Sequence, residues 1–326
     1  MIRSDILIVK NLSIPLRILQ NEALLNRLHE HHPKRELIEA DNMKRLKGYR
    51  GEQALDYYLS FLAANEFYIL HGLRLQHGEY FFQIDLLLVS PLFLLVVEIK
   101  NISGTVILGG PFKQMIRIKD NIEEGFNNPL TQVKRQKYQL QEWLAKYNYT
   151  GLPIEHLVVF SNSSTIIRAQ DNDKEVLEKV CHANQLIEKI NSYKSSYNRI
   201  LLEEKKIKKM CRVLKKHHIP KRDDILQTYG ISQSDIIQGV ICPECSFSPM
   251  IRLRGSWSCP SCKLTSTNAH HKAIKDFLYL MNPTISNQQT REFLKINSRT
   301  IASKLLKGMN LHCTGNTKGT YYSLPE

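Results

Sequence analysis

Two apolar stretches, residues 80–89 and 93–100, flank the dipeptide Ser90-Pro91. They are rich in Leu, Val, Ile and Phe, a composition typical of β-strands. The φ angle of proline is fixed at about −65°, so Pro91 cannot supply the positive φ that a two-residue hairpin loop requires. The sequence therefore predicts a β-hairpin closed by a four-residue type I turn over residues 90–93, with the proline at its second position.

This turn sets which residues of the two strands face each other. A symmetric hairpin around it pairs Asp85 with Glu98 and Gln83 with Lys100. Because side chains alternate between the two faces of a strand, all four are expected on one face. Two opposed carboxylates, with Cβ atoms about 5 Å apart, repel each other in apolar strands. A bound cation would turn that repulsion into coordination.

Helical periodicity covers residues 44–62, where Leu55, Tyr58, Leu59 and Leu62 form one apolar stripe. Glu52 lies on the same stripe, at its N-terminal end. A carboxylate that faces a core is costly unless it is paired or binds a metal. The favourable field of a helix N-terminus explains a glutamate there equally well, so both interpretations remain open.

The next segments predict a loop at Asn127-Asn128-Pro129, a helix over 130–146 and a strand over 157–160. Helix and strand following a hairpin indicate an α/β fold, a mixed sheet flanked by helices. Residues 173–218 are largely helical in pattern and rich in lysine. Such a run is usually a solvated helix face, and contact with phosphate is the alternative.

Two Cys-x-x-Cys pairs are separated by a short spacer. They supply Cys242, Cys245, Cys259 and Cys262, and four thiolates at this spacing are the tetrahedral ligand set of a structural Zn²⁺ site, as in a zinc ribbon. The residues between the pairs that could touch phosphate or stack on a base are Arg252, Arg254 and Trp257. They could equally be ordinary surface residues.

The C-terminal segment predicts helices over 287–294 and 300–307, then a hairpin with its turn at 315–319. This order resembles a winged helix-turn-helix, whose second helix enters a DNA groove. On that helix the candidate DNA-contacting residues are Arg299, Lys304 and Lys307. A small packing or protein-interaction domain remains an alternative.

Composition adds bounds to this pattern. The chain has 326 residues and a net charge of +14, which favours several domains and a polyanionic partner, nucleic acid before membrane. The apolar stretches are too short to span a membrane, and paired cysteines favour a reducing, bacterial-type cytoplasm. The predicted division is 1–44 N-terminal extension, 45–170 catalytic-type domain, 171–235 basic helical linker, 236–268 zinc ribbon and 269–326 winged helix.

The opposed acids suggest a chemistry. Phosphodiester hydrolysis needs a metal-activated water and positive charge near the transition state. Mg²⁺ binds one or two carboxylates together with waters and phosphate oxygens, and Asp85 with Glu98 offers such a pair. Lys100, on the same face, would orient the water or hold the phosphate. Alone, a Glu-x-Lys sequence is common; its place in two apolar strands makes it informative.

The chain carries a series of short motifs: Gly48-Tyr49-Arg50-Gly51-Glu52, Gln83-Ile84-Asp85, Val97-Glu98-Ile99-Lys100-Asn101 with Gly104, and Asn128-Pro129-Leu130 with Gln132. Together they resemble the NERD (nuclease-related) domain of the PD-(D/E)xK nuclease superfamily. The resemblance covers residues 45–165 and implies a restriction-endonuclease-like fold.

The resemblance also implies roles for individual residues. Asp85 and Glu98 would hold Mg²⁺ or Mn²⁺, with the backbone carbonyl of Ile99 as a further metal ligand. Lys100 would be the catalytic lysine, Glu52 the acid that orients or extends the metal shell, and Gln132 a residue near the substrate phosphate.

The sequence thus predicts a divalent-metal-dependent nuclease acting on DNA, with nucleic-acid-binding modules in its C-terminal part. One alternative is a non-catalytic nucleic-acid-binding or regulatory protein on a nuclease-like scaffold, and another is a protein-interaction adaptor that uses the ribbon. The sequence does not distinguish DNA from RNA, and it says nothing of the oligomeric state.

Overall fold

The computed structural model of the chain describes residues 7–63, 66–316 and 319–325. The strands are β1 Leu7–Lys10, β2 Tyr68–His77, β3 Tyr80–Val89, β4 Leu94–Lys100, β5 Thr105–Gly109, β6 Gln114–Lys119, β7 Ile122–Asn127, β8 Ile154–Phe160, β9 Ile166–Ala169, β10 Val180–His182, β11 Ile251–Arg252, β12 Trp257–Ser258, β13 Thr265–Ser266, β14 Thr284–Ser286, β15 His312–Thr314 and β16 Tyr321–Ser323. The α-helices are α1 Leu16–Arg27, α2 Arg35–Gln53, α3 Leu55–Leu59, α4 Pro129–Ala145, α5 Lys174–Lys179, α6 Leu186–Ser196, α7 Glu204–Lys216, α8 Ile225–Tyr229, α9 His270–Leu280, α10 Asn287–Leu294 and α11 Arg299–Lys307.

The chain forms two compact units, each built from two separate segments. The first unit holds residues up to Ile14 together with Leu46–Lys221, and the second holds Pro15–Arg45 together with Arg222–Glu326. The division falls within α2. The finer five-segment division stays a prediction. None of the helices in the described ranges is long and apolar enough to cross a membrane.

A six-stranded mixed sheet is the centre of the first unit, in the order β1-β2-β3-β4-β8-β10. β2, β3 and β4 pair antiparallel, while β1 joins β2 and β8 joins β4 in parallel. Such a sheet needs cover on both faces, because its strands are apolar on both sides. One face packs against α4 and α7, and the other packs against α3 and α6. The predicted mixed α/β architecture is confirmed.

The hairpin of β3 and β4 has the predicted register over its turn-proximal half. Val89 pairs with Leu94, and the ladder continues to Leu86 paired with Val97. In the turn, the backbone N–H of Ser90 donates to the Phe93 carbonyl at 3.1 Å, and the Ser90 hydroxyl accepts from the N–H of Leu92 and of Phe93. The serine hydroxyl therefore supplies an acceptor for two backbone N–H groups of the turn, those of Leu92 and Phe93.

The expectation that Gln83 shares a face with Asp85 is wrong. Phe82 and Ile84 lie in the same apolar core as Leu87 and Val89, so the alternation of side chains reverses between Ile84 and Leu87. Ile84 and Leu87 are three positions apart, whereas regular pleating returns side chains to the same face at every second residue. Gln83 is accordingly exposed and faces away from the core that Ile84 enters.

The neighbouring strand β2 has the same irregularity at the same level. Its core residues shift from Leu70 to Leu73, and Gly72 between them has a φ of +53°, a left-handed conformation that glycine adopts without the penalty of a Cβ. In the register of β2 with β3, the position of Gly72 is that of Asp85, and no pair forms there. The sheet is therefore interrupted at Asp85, and this frees the carboxylate from regular alternation.

Helix α4 begins where the sequence predicts. The side chain of Asn128 accepts a hydrogen bond from the N–H of Leu130 at 2.8 Å, and Pro129 occupies the first helical position, where a missing N–H costs nothing. Leu140 and Trp143 then pack in the core. One end of α4 is thereby fixed near the end of β4.

A second, four-stranded sheet of the first unit has the order β7-β6-β5-β9. The sequence pattern does not predict this sheet, because residues 105–127 alternate weakly and β7 is exposed along its whole length. Strands without a buried face give little periodic signal.

The second unit surrounds its own apolar core. Residues of α1 and α9 meet there, together with Trp257 and the buried cysteines of the ribbon segment. The C-terminal order is α9, β14, α10, α11 and the β15–β16 hairpin, with β16 between the other two strands of its sheet. The predicted turn of that hairpin includes Thr317 and Lys318, which lie outside the described residues.

A buried arginine joins the two segments of this unit. Arg27 on α1 is 1% exposed, and its Nε lies 2.8 Å from Asp276 on α9. Its Nη1 donates to the carbonyls of Ile237 and Gly239, and its guanidinium lies over the Phe293 ring. Burial lowers the pKa of Arg27, and the negative charge of Asp276 opposes this shift. Burial raises the pKa of Asp276, and the positive charge of Arg27 opposes that shift.

We expect Arg27→Ala to reduce the free energy of unfolding of the second unit by about 3–5 kcal/mol, because the Asp276 carboxylate would remain buried without its counter-ion. Chemical denaturation, followed by the fluorescence of buried Trp257, measures this. Arg254→Ala is the control, since Arg254 is exposed in the same unit. Equal unfolding midpoints for the two variants would contradict the assignment.

Candidate functional site

Glu98 is the buried centre of the candidate site. It lies near the end of β4, with 2% of its surface exposed. One carboxylate oxygen lies 2.6 Å from Lys100 Nζ, and the other accepts a hydrogen bond from Gln136 Nε2 at 2.8 Å. A carboxylate is tolerated at such depth only when it is paired and hydrogen-bonded, and both conditions hold here.

Asp85 lies where β3 and β4 separate. Its Oδ2 accepts a hydrogen bond from the backbone N–H of Ile99 at 3.0 Å. The N–H and C=O of one strand residue point to the same edge, so the Ile99 carbonyl also points toward the β3 side. Desolvation raises the pKa of Asp85 well above its ordinary value, and the negative charges of Glu98 and Glu52 raise it further.

Glu52 reaches the site from the last turn of α2. The helix approaches Asn101 and Ser161 closely at Gly51. A Cβ at this position would meet Cβ of Asn101 at 2.5 Å and Oγ of Ser161 at 2.8 Å, so the approach depends on glycine. Desolvation and the charge of Glu98 raise the pKa of Glu52 to about 7, while Lys10 opposes the shift. Between the two interpretations that the sequence left open, the site-facing one fits these contacts.

Lys100 contacts the glutamine that the family resemblance singled out. Lys100 Nζ donates to Gln132 Oε1 at 3.1 Å as well as to Glu98. Gln136 was missed, although it lies one helical turn after Gln132 on the same face of α4. Its Nε2 also donates to the backbone carbonyl of Gln83 at 2.8 Å. Gln136 therefore links β3, through Gln83, to β4, through Glu98.

A second lysine was also missed. Lys10 ends β1, and its Nζ donates to the carbonyl of His71 at 2.8 Å, next to Gly72. Burial lowers the pKa of Lys10, while the charge of Glu52 opposes the shift. The only signal in the sequence is a lysine after a short apolar stretch, far from the other motifs, so no local pattern could find it.

Three carboxylates in partly desolvated surroundings favour either protons or a metal ion. Their oxygen atoms suit Mg²⁺ or Mn²⁺, which need only one or two carboxylates beside waters and phosphate. The three do not converge tightly: in the described ranges, the four ribbon cysteines are the one group of three or more potential ligands whose donor atoms all lie within 4.8 Å. The donor set therefore fits an open, hydrated divalent site better than a closed one.

The raised pKa of Glu52 predicts a pH-dependent metal affinity. Below about pH 7 the carboxyl is mostly protonated and must lose its proton before it can contribute to metal binding. We expect Mn²⁺ affinity to fall about tenfold from pH 8 to pH 6, because the ionised fraction falls by that factor. Calorimetric titration at both pH values measures it. Glu52→Gln should bind more weakly at pH 8, with a smaller pH dependence, and an unchanged pH dependence would contradict the role.

The four cysteines form a second candidate metal centre. The Sγ atoms of Cys242 and Cys262 lie 3.6 Å apart, and those of Cys245 and Cys259 lie 3.5 Å apart. A Zn–S distance of about 2.3 Å in a tetrahedron gives S···S edges of about 3.8 Å, and a disulfide would require about 2.05 Å. The thiols therefore fit a tetrahedral Zn²⁺ site.

The two Cys-x-x-Cys turns have the same hydrogen bonds. Cys242 N–H donates to the Phe247 carbonyl at 2.9 Å, and Cys259 N–H donates to the Leu264 carbonyl at 2.9 Å. In each turn the residue after the second cysteine, Ser246 or Lys263, has a positive φ. The two turns therefore have the same local backbone conformation, and each presents its two sulfur atoms in the same way.

The expected base-stacking role of Trp257 is wrong. Its side chain is fully buried, and its Nε1 donates to His270 Nδ1 at 3.2 Å. Arg252 is half-buried with its guanidinium 5.2 Å from the Trp257 ring, and Arg254 is exposed. Of the three, Arg254 is the most accessible to a phosphate. A tryptophan in a segment this small supplies core volume, which the spacing alone did not reveal.

Arg299, Lys304 and Lys307 are all exposed on α11. The opposite side of the helix, with Ala302 and Leu306, is buried in the core of the second unit. The predicted candidates therefore share the solvent side of one helix, where a polyanion could reach them.

A comparison with protein families agrees with this geometry. Residues 47–161 match the family described as nuclease-related domain, NERD. The matched segment includes Glu52, Asp85, Glu98, Lys100 and Gln132, and it excludes Lys10 and the whole ribbon. Neither the curated proteins nor the solved structures gave a match to the chain. The candidate site of this chain therefore lies within a segment, residues 47–161, that is similar to the nuclease-related domain family.

Proposed function

We propose that the chain is a divalent-metal-dependent nuclease that hydrolyses phosphodiester bonds of DNA. The observation that carries the proposal is the buried Glu98, held between Lys100 and Gln136 and accompanied by Asp85 at the point where the two strands separate. A structural carboxylate would not require a second acid with a strongly raised pKa beside it.

The roles follow from the contacts. Asp85, Glu98 and the Ile99 carbonyl would hold Mg²⁺ or Mn²⁺, which would acidify a water and neutralise the phosphate. Lys100, now paired with Glu98, would turn its ammonium toward the attacking water or the phosphate. Gln132 fixes the position of Lys100 through their hydrogen bond, and Glu52 on α2 would supply a further carboxylate for the hydrated metal ion.

The ribbon cysteines would hold one Zn²⁺ as a structural ion, since all four positions are protein ligands. The α9-to-β16 segment has the element order of a winged helix-turn-helix, with α11 in the place of the groove-binding helix. We propose that these parts bind DNA through the exposed cations of α11 and through Arg254.

Cleavage of supercoiled plasmid tests the nuclease proposal. The wild-type protein should nick or linearise the plasmid with Mg²⁺ and not with excess chelator, and Glu98→Gln should be inactive. Glu123→Gln is the matched control, because Glu123 is an exposed carboxylate on β7 of the same unit. Equal cleavage by wild type and Glu98→Gln would reject the site, and DNA binding without cleavage would favour a non-catalytic binding protein.

Substituting the α11 cations tests the C-terminal interface without removing core residues. Arg299→Gln/Lys304→Gln/Lys307→Gln should weaken binding to duplex DNA by about tenfold or more, because up to three phosphate contacts are lost. Fluorescence anisotropy measures the affinity, and circular dichroism checks that the second unit remains folded. Unchanged affinity would point to a packing or protein-interaction role for this segment.

A further inference from the structure

Helix α7 has a basic face that the catalytic roles do not use. Its apolar side, including Ile207, Met210 and Leu214, is buried in the core that also receives α4. Its other side is exposed and carries seven cations, which we call the α7 basic face: Lys205, Lys206, Lys208, Lys209, Arg212, Lys215 and Lys216. The helix lies outside the matched nuclease-related segment.

These cations are almost without counter-ions. In the part of the chain that the structure describes, Lys208 alone of the seven forms an ion pair, with Glu204 at 2.6 Å. Like charges three or four residues apart on a helix destabilise it. The α7 basic face therefore concentrates positive charge that the single ion pair with Glu204 offsets only in part, and a polyanion would neutralise the rest.

The helix runs along the sheet toward the candidate site. Near its start, the N–H of Leu201 donates to the Pro91 carbonyl at 2.9 Å, in the turn at the far end of β3 and β4. Past its end, His218 Nδ1 accepts from the Arg74 N–H at 3.0 Å. Arg74 is two residues beyond Gly72, which shares its level in the sheet with Asp85. The C-terminal end of α7 is thus held at the level of the acids.

Lys10 connects this end with the carboxylates. Its Nζ is bonded to the His71 carbonyl, one residue before Gly72. Burial is the main cause that lowers the pKa of Lys10; the charge of Glu52 opposes this shift and that of Lys215 adds to it, so both groups lie near the Lys10 ammonium. After Glu204, α7 contains no acidic residue. Lys10 therefore continues the positive charge of the α7 basic face toward the carboxylates of the site.

We propose that the α7 basic face binds the phosphate backbone of the nucleic acid and directs it to the carboxylate site. This inference rests on the proposed function and names the surface that holds the substrate of that same site. From Lys205 to Lys216 the helix rises roughly 16 Å, the axial length of about five nucleotides in one strand of B-form DNA. The apolar side of α7 is buried in the core, so the helix has no apolar face to insert into a lipid surface.

The test compares two variants that lose the same charge. Lys209→Gln/Arg212→Gln/Lys216→Gln removes a stripe of the α7 basic face and keeps good helix formers. Lys113→Gln/Lys119→Gln/Lys174→Gln removes three exposed lysines elsewhere on the first unit. Binding to a labelled DNA duplex is measured against salt concentration, with Ca²⁺ replacing Mg²⁺ to suppress cleavage. Each comparison is repeated in the Arg299→Gln/Lys304→Gln/Lys307→Gln background, so that α11 cannot mask the result.

The α7 variant should bind DNA about 10- to 100-fold more weakly than wild type. The plot of log affinity against log salt has a negative slope, and the magnitude of that slope should decrease by about 2 to 3. The control variant should retain near-wild-type values. Equal affinities for the two variants in both backgrounds would overturn the inference, as would binding of wild type to phosphatidylserine vesicles but not to DNA. If the wild-type protein does not cleave DNA but the α7 variant loses DNA binding, the nuclease proposal is refuted and this inference stands. If the wild-type protein cleaves DNA but the α7 variant and the control variant bind it equally, this inference is refuted and the nuclease proposal stands.

Discussion

Asp85→Asn is expected to abolish both metal binding and DNA cleavage, whereas Lys100→Met should abolish cleavage and leave metal binding largely intact. The amide removes a negative oxygen ligand, and the rate should fall on the order of a thousandfold or more, as for loss of several kcal/mol of transition-state stabilisation. Lys100 touches Glu98 and Gln132, so removing its charge leaves the metal ligands in place. Initial rates of plasmid nicking and Mn²⁺ titration calorimetry separate the two effects.

Matched surface variants control for nonspecific loss of charge. Asp120→Asn and Lys119→Met change exposed residues, one in the turn after β6 and one at the end of β6, and both variants should keep wild-type rates. A Lys100→Met protein that cleaves at the wild-type rate would remove the lysine from the mechanism. Wild-type metal affinity in Asp85→Asn would move the metal site elsewhere.

Loss of Zn²⁺ should unfold much of the second unit. Cys242 and Cys259 are 1% and 0% exposed and belong to its apolar core, so the ion would be bound inside the structure that it stabilises. Zinc-binding free energies of about 10–16 kcal/mol in small zinc domains exceed the stability of most domains of this size. We expect about one Zn²⁺ per chain by elemental analysis, and release of that ion should shift Trp257 fluorescence to the red.

Trp143→Phe makes this measurement specific, because Trp143 is the other tryptophan and lies in the first unit. In that background Cys259→Ser should show the red-shifted emission without chelator. Cys313→Ser is the control, since Cys313 is exposed and is not part of the four-cysteine group. Native protein without zinc would refute the metal assignment.

Local sequence determined the parts of the fold that depend on near neighbours. The strand Tyr80–Val89, the turn-proximal half of the hairpin register and the start of α4 to within one residue all follow from turn and capping chemistry within a few residues. The break at Asp85 could not be predicted in this way. It depends on the left-handed Gly72 in the neighbouring strand, and the sequence does not show which strand that is.

The candidate site divides in the same manner. Asp85, Glu98 and Lys100 stand out because charged residues interrupt apolar strands, and Glu52 because it lies on an apolar stripe. Lys10 and Gln136 carry no such contrast, and only the folded chain brings them to the acids. Trp257 was misassigned for the opposite reason, since an aromatic residue beside arginines has the same sequence pattern whether it is buried or exposed.

The two-segment construction of each unit imposes an order on biosynthesis. Arg27 must wait for Asp276, which lies 249 residues later in the chain. At about 5–20 residues per second, a ribosome needs roughly 12 to 50 s to make that distance. During that time the Arg27 guanidinium lacks its carboxylate partner, while the first unit can already assemble once α7 has emerged. The nascent chain would therefore carry a folded first unit before its second unit can close, and residues 15–45 would be the segment most exposed to chaperones and proteases.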